Sequence, residues 1–515
     1  MNLRDGYTEW RENNRLEFKR AQGGFPRSFW ETYSAFANTE GGLVVFGVDE
    51  TPDGPKVVGV KDADALVRNL WNGLNDRQRV SVNLLVDSDV SVEGVDGATV
   101  VSIRVPRAER SQRPVYINNS MNTGTYRRNG EGDYRCGMEI IGAMVRDGAD
   151  GALDKEPLVA IGLDALNPES VRSYRREFSR VRVTHPWGSL QDEEFLLRIG
   201  AIGRSGEDGR LHPTKAGLLM LGEAWRITDA FPNYFLDCRQ VRGDRRWDNR
   251  ITSDSGEWSG NVYDFWNRAS LMLCEGLPVP FGLGPGMVRV DDTPQHEAVR
   301  EGLTNALVHA DYHGRTGVVA VRRPSSIEFS NPGCLRLPAE VVEGGGVSDP
   351  RNKTLMTMFN LIGRGDKAGS GFDVFRRAAE YAGVEDPRIE EAFEPDRTKL
   401  ILHVQVDGAK IGAVGVVNVG DVANVVKRND VDVANVEALD VVNVANGNGR
   451  SAVGDRDLED VVLSCIRNDA RASAAAIAET LGLSARQAQR YLKQLREKGR
   501  IERVGGTRGR WEVKG

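Results

Sequence analysis

Glu12-Asn-Asn-Arg-Leu-Glu-Phe-Lys19 crowds three ionisable side chains, Glu12, Glu17 and Lys19, into one short segment ahead of a Gly-Gly pair. In an extended segment side chains alternate with period two, so Glu17 and Lys19 fall on one face. Downstream, Ala35-Phe-Ala-Asn-Thr-Glu-Gly-Gly42 reads as the end of a helix over 28–38, closed by glycines that tolerate positive φ. Residues 43–48 then read as a buried strand that ends at Asp49-Glu50, which sets acids at the mouth of a cleft. Further strand-like runs at 42–48, 80–86 and 99–105 predict an α+β unit over 1–150.

Carboxylates that converge on one point hold a hard divalent cation, and such a cation activates water and neutralises charge on a phosphodiester. A nearby lysine supports the same charge. Glu12, Glu17, Lys19, Asp49 and Glu50 are therefore the candidate catalytic set, with Glu12, Glu17 and Asp49 as metal ligands for Mg²⁺ or Mn²⁺. Spacing alone favours a solvated charged face over such a site.

Taken together, 12–19, the block Trp30-Glu-Thr-Tyr-Ser-Ala-Phe-Ala-Asn-Thr-Glu-Gly-Gly42 and the ending Gly47-Val-Asp-Glu50 resemble the Schlafen AlbA-type domain. Members of that family include divalent-metal-dependent ribonucleases acting on transfer and ribosomal RNA, and bacterial proteins described as DNA-binding regulators. The resemblance implies that Glu12 and Glu17 are the two leading carboxylates, Lys19 the lysine, and Asp49 or Glu50 the third acid. Arg104, Arg107, Arg110, Arg113, Arg127 and Arg128, interleaved with Tyr116 and Tyr126, are suited to phosphates and stacked bases. Arg104, Arg107, Arg127 and Arg128 are the nucleic-acid-binding candidates; a solvated loop is the alternative.

At 515 residues the chain exceeds one hydrophobic core. Its 40% apolar and 28% charged content suits globular folding, which excludes a wholly disordered chain. The net charge of −6 does not advertise nucleic-acid binding, so local charge matters more than the total. Cys136, Cys238, Cys274, Cys334 and Cys465 never form a C-x-x-C pair, which argues against a zinc site and a disulfide framework and for a reducing compartment. With no signal peptide or apolar run long enough to span a bilayer, a cytoplasmic protein without membrane partners is expected.

The expected architecture is α+β and multidomain: 1–150 the Schlafen-type unit, 151–224 a helical connector, 225–406 a second α/β unit, 407–454 a linker and 455–515 a winged helix-turn-helix. The connector is signalled by Asn167-Pro-Glu-Ser and by amphipathic helices over 192–199 and 213–221. In the linker, near-repeats such as Val416-Val-Asn-Val and Val433-Ala-Asn-Val offer no large side chain for a core; they suit a flexible tether, or else a self-associating β segment.

In the second unit, a helix over 294–309 places Glu297, Glu301, Asn305 and His309 on one face at i, i+4 spacing. The run Glu301-Gly-Leu-Thr-Asn-Ala-Leu-Val-His-Ala-Asp-Tyr312, with Phe329-Ser-Asn-Pro-Gly333, Gly344-Gly-Gly-Val-Ser-Asp-Pro-Arg-Asn352 and Gly369-Ser-Gly371, resembles a divergent GHKL-like, helicase-like ATP-binding domain. The resemblance implies Glu301, Asn305, Asn331, Gly333, Gly369 and Gly371 as nucleotide contacts, and homo-oligomers through this unit. Yet Ser330-Asn-Pro-Gly333 replaces the adenine-reading Asp-x-Gly-x-Gly loop, so the acid that would accept the adenine amino proton is missing. This argues against ATPase activity and leaves ATP binding beside a purely structural role.

At the carboxy terminus, helices over 458–467, 473–481 and 485–498 precede strands over 500–504 and 510–513, the pattern of a winged helix-turn-helix. Arg486, Gln487, Arg490 and Lys493 lie on the polar face of the third helix, with Arg508 and Arg510 in the wing. Ten Lys/Arg against three acids from Arg486 to Gly515 give a local +7, suited to phosphates. Two functions follow: a metal-dependent endoribonuclease acting on transfer or other structured RNA, in phage defence or stress, or a non-catalytic DNA-binding transcriptional regulator. Structured RNA, duplex DNA or both are the expected partners.

Overall fold

Residues 12–52, 54–243, 245–279, 292–365 and 371–405 are described in the computed structural model, as are 492–493, 495–496, 498, 500–504 and 510–513. The chain divides into two units, 1–416 and 417–515. The architecture is α+β and multidomain.

The amino-terminal domain opens with β1 (Leu16–Lys19), α1 (Phe29–Ala37), β2 (Gly42–Phe46), β3 (Val48–Thr51), β4 (Gly54–Val57) and α2 (Ala63–Leu74). There follow β5 (Val90–Val95), β6 (Ala98–Val105), α3 (Met121–Gly124), β7 (Tyr126–Asn129), β8 (Gly132–Arg135) and α4 (Met138–Gly148). A four-stranded sheet runs β1-β2-β6-β5, with β1 parallel to β2 and Glu17 opposite Val44. One face packs under α1 and α2 through Phe29, Trp30, Tyr33, Phe36, Leu66 and Leu70; the other closes a smaller core of Leu16, Phe18, Val45, Val48, Val95 and Val100. The apolar run at 80–86 is not a strand. Tyr33 takes two of its backbone bonds instead: its hydroxyl accepts from Leu84 N at 2.8 Å and donates to the Val82 carbonyl at 3.1 Å.

The middle of the chain forms α5 (Pro168–Val181), α6 (Asp192–Arg198), β9 (Ile202–Arg204), β10 (Leu211–Pro213), α7 (Lys215–Leu221) and α8 (Ala224–Ala230). Asn167 caps α5, its side-chain oxygen accepting from Glu169 N and Ser170 N. Next come β11 (Leu236–Gln240), β12 (Asn249–Thr252), α9 (Val262–Cys274), α10 (Pro294–Val308), β13 (Val318–Arg322), β14 (Ser326–Pro332), α11 (Ala339–Gly344), α12 (Lys353–Leu361), α13 (Gly371–Ala382), β15 (Arg388–Phe393) and β16 (Asp396–His403). The sheet here runs β12-β11-β13-β14-β16-β15. Tyr174, Phe178, Phe195 and Leu218 of the middle helices share one continuous core with Phe265, Leu303, Phe329 and Phe359. The segment expected as a connector is thus packed as part of the second unit, and buried Asp154 near its start caps α12 by accepting from Thr354 N and Leu355 N.

Near the carboxy terminus, β17 (Ile501–Val504) pairs antiparallel with β18 (Arg510–Val513), and Leu492, Leu495 and Ile501 are buried. The expected linker at 407–454 and the helices at 458–467 and 473–481 lie outside the described residues. Among the described residues no helix is long and apolar enough to cross a membrane.

Candidate active site

Three segments meet at the edge of the amino-terminal sheet. Because β1 buries Leu16 and Phe18 on one face, alternation turns Glu17 and Lys19 to the other, and Lys19 Nζ lies 2.9 Å from Glu17 Oε1. The chain folds back ahead of β1, so that Phe18 N donates to Glu12 Oε1 at 2.8 Å and Glu12 N approaches Glu50 Oε1 at 3.4 Å. Asp49 and Glu50 are consecutive in β3 and point to opposite faces. Glu50 is the one beside Glu12, whereas Asp49 pairs with Arg20 at 3.5 Å. The acid that joins Glu12 and Glu17 is therefore Glu50, and Asp49 stands apart from them.

Half-burial pushes the Glu12 carboxyl up to about 7; the Phe18 N–H opposes the rise, and the Glu17 and Glu50 carboxylates reinforce it. This mutual repulsion is what a hard cation relieves. Mg²⁺ is commonly bound by one or two carboxylates and keeps several waters, so Glu12 and Glu50 are the carboxylates that such an ion would use, while both Glu17 oxygens are paired, with Lys19 and Arg128. Among the described residues no three His, Cys, Asp or Glu side chains are drawn into a ready all-protein cage.

The basic patch has a different destination from the one expected. Arg128 is almost wholly buried and bonds Glu17 Oε2 at 2.7 Å, Asp133 at 3.0 Å and the Asn13 carbonyl at 3.1 Å, packing over the Phe36 ring. Arg107 reaches Glu391 at 2.5 Å and the Leu335 carbonyl at 2.9 Å, and Arg127 pairs with Asp396. Guanidiniums committed to buried carboxylates are not on a surface that meets phosphates, which corrects the expectation for Arg107, Arg127 and Arg128. Arg104 alone of the four is exposed.

Sequence reasoning missed Asn38 and Thr39. The Asn38 carboxamide accepts from Val115 N at 2.8 Å and donates to the carbonyls of Val115 and Tyr126 at 2.7 and 3.0 Å. Thr39 Oγ1 accepts from Arg128 N at 3.0 Å, and Glu40 accepts from Asn14 at 2.7 Å. The Asn-Thr-Glu motif thus holds Arg128 and, through it, Glu17. Its signal was three polar residues at the end of an otherwise apolar helix.

In the second domain, Glu301, Asn305, His309, Asn331 and Gly371 line a cavity of about 130 Å³ together with Arg336, Asp349 and Arg351. Asn305 donates to Glu301 at 3.1 Å, and a side chain at Gly371 would crowd Asn305. Burial, with Arg351 and Arg336 adding to it, lowers His309 to about 4 and keeps it neutral. Gly333 is not in this wall; it has φ 97°, and a Cβ there would meet the Arg351 guanidinium at 2.9 Å. Glu297 points outward, toward Arg377 at 3.9 Å. The space bounded by the described walls is smaller than the roughly 300–1,000 Å³ of ordinary ligand sites. Gly369, Arg486, Gln487, Arg490 and Arg508 lie outside the described residues; Lys493 is adjacent to buried Leu492, and Arg510 opens β18.

Four family models match parts of the chain: "Schlafen, AlbA_2" over 12–137, a domain of unknown function over 142–237, "Putative ATP-dependent DNA helicase recG C-terminal" over 324–402, and "Winged helix-turn-helix DNA-binding" over 461–502. Among solved structures, the DIP2311 protein from Corynebacterium diphtheriae is 17% identical, with a TM-score of 0.39, over 97% of this chain and 92% of that one. The N-terminal domain of a RecG-related protein from Nitrosomonas europaea is 29% identical, with a TM-score of 0.18, over 24% of this chain and 81% of that one. No curated protein matches the chain.

Proposed function

From a chain that carries a Schlafen AlbA_2 domain, a recG-type carboxy-terminal region and a winged helix-turn-helix, and is thereby a nucleic-acid-binding protein, we propose a divalent-metal-dependent endoribonuclease acting on structured RNA. The observation that carries this reading is the approach of Glu50 to Glu12 and Glu17 of the 12–19 segment, with Lys19 beside them. Glu12 and Glu50, with Glu17 adjoining, would hold Mg²⁺ or Mn²⁺, which when bound supplies a polarised water and neutralises charge on the phosphodiester. Glu12 holds a proton at its carboxyl until about neutral pH. Lys19 places a positive charge beside the same site.

Glu50→Gln is the cleanest probe, because Glu17 also neutralises buried Arg128. Purified protein with Mg²⁺ or Mn²⁺ should cut transfer RNA at defined positions, and Glu50→Gln should lower the rate by at least about a hundredfold while leaving the melting temperature within a few degrees. Equal cutting by both proteins, or none by either, removes the reading.

A second reading is favoured by a separate observation. The walls of the second domain's cavity are bolted to the amino-terminal domain: Asp349 pairs with Arg110 at 2.6 Å, and the Leu335 carbonyl accepts from Arg107. A small ligand there would be felt in the first domain, as suits a DNA-binding regulator that reads duplex with its winged helix. Salt-dependent duplex binding that is lost on deleting 457–515 supports it; binding that survives the deletion counts against it.

A further inference from the structure

The β11–β12 hairpin occupies one edge of the six-stranded sheet. Its sequence, Arg239-Gln-Val-Arg-Gly-Asp-Arg-Arg-Trp-Asp-Asn-Arg250, holds five arginines against Asp244 and Asp248, a local +3 in a chain of net −6. The base of the hairpin is built around Asp237, which is fully buried and accepts from Arg250 Nε at 2.9 Å and Nη2 at 3.0 Å, with Arg239 on the same carboxylate. Asp248 is consumed by the turn, accepting from Arg242 N at 2.7 Å. Toward the tip, Arg242, Arg245 and Arg246 are exposed; the Arg242 contact to Glu275, at 3.2 Å between two exposed side chains, is too weak to neutralise it.

The half-buried ring of Trp247 carries two of these cations. The guanidinium carbons of Arg246 and Arg250 each lie 4.8 Å from its centroid. Guanidinium planes and aromatic rings are surfaces on which an unpaired base stacks, whereas the bases of a duplex are already stacked on one another. We propose that this hairpin is a binding site for single-stranded nucleic acid, with Arg242, Arg245 and Arg246 on the phosphates and a base stacked on the Arg246–Trp247–Arg250 layer. The site shares no residue with the carboxylate cluster and stands whether or not that cluster cuts RNA.

The test uses the full-length chain in metal-free buffer, so that no strand is cut. Anisotropy of labelled oligouridine, oligothymidine and a duplex is followed against salt. For Arg245→Ala/Arg246→Ala the slope of log K against log salt should fall by about 1.4 on both single strands, at about 0.7 per phosphate contact. Arg245→Lys/Arg246→Lys should restore the slope. Trp247→Ala should weaken single-strand binding by roughly five- to a hundredfold, with Trp247→Phe close to wild type. Unchanged slope and affinity in the alanine variants, or a loss confined to the duplex, overturns the proposal. Glu12→Gln/Glu50→Gln should leave this binding unaltered, so a failure of cleavage is read separately.

Discussion

The Glu12 carboxyl, lifted to about 7, ties site chemistry to pH. The folded chain holds this proton more tightly than the unfolded chain, whose carboxyl titrates near 4.5. Glu12 therefore favours the folded state most at acid pH, and that contribution is lost as pH rises from about 4.5 through 7. Glu12→Gln, neutral throughout, should flatten this part of a stability profile measured by urea unfolding between pH 5 and pH 8. Cleavage should rise through about pH 7 in the wild type, since the carboxylate must be bare to hold a cation. Glu17 is different in kind. Removing it by Glu17→Ala strands buried Arg128 with Asp133 as its remaining carboxylate, at a cost of about 3–5 kcal/mol, read as a shift of the denaturation midpoint. A midpoint within 0.5 kcal/mol of wild type, on the order of a surface substitution, would contradict the buried pairing.

At the scale of elements, the turn from α1 into β2 holds the site together. Gly41 has φ 75°, and a Cβ there would sit 2.8 Å from the Val105 carbonyl. Gly41→Ala should cost at least about 1–3 kcal/mol. Asn38→Ala, which strands the buried Val115 N–H, should cost about the same in thermal unfolding. Much of this was legible beforehand: helix and strand around the Gly-Gly pair lie within a residue or two of where periodicity put them, because buried Phe29, Tyr33, Phe36, Val44 and Val45 set that period. The run at 80–86 misled because hydropathy registers burial, not which group takes the backbone bonds, and here the side chains of Tyr33, Asn83 and Asp89 take several of them. Asp49 and Glu50 could not be told apart in sequence, since β3's direction decides which faces Glu12. Arg107, Arg110 and Arg127 read as a phosphate surface because their partners, Glu391, Asp349 and Asp396, are more than 200 residues away in the chain.

Across the whole molecule those same arginines join the amino-terminal domain to the second one. Arg107–Glu391, Arg110–Asp349, Arg127–Asp396 and Arg146–Asp311 run one way, and Asp147 answers Arg351 at 2.7 Å from the other side. So many desolvated pairs in one seam should make residues 12–405 melt as one cooperative body in scanning calorimetry. Asp147→Asn/Glu391→Gln should split that transition or lower it sharply, whereas two separate transitions in the wild type would contradict the seam. Such coupling places the carboxylate cluster, the cavity and the basic hairpin on one framework. The decisive measurement is sequencing of RNA ends from cells expressing the wild type beside Glu12→Gln/Glu50→Gln. Discrete new ends in structured RNA, present with the wild type and absent with the variant, are expected; ends shared by both would contradict a cutting role for these carboxylates.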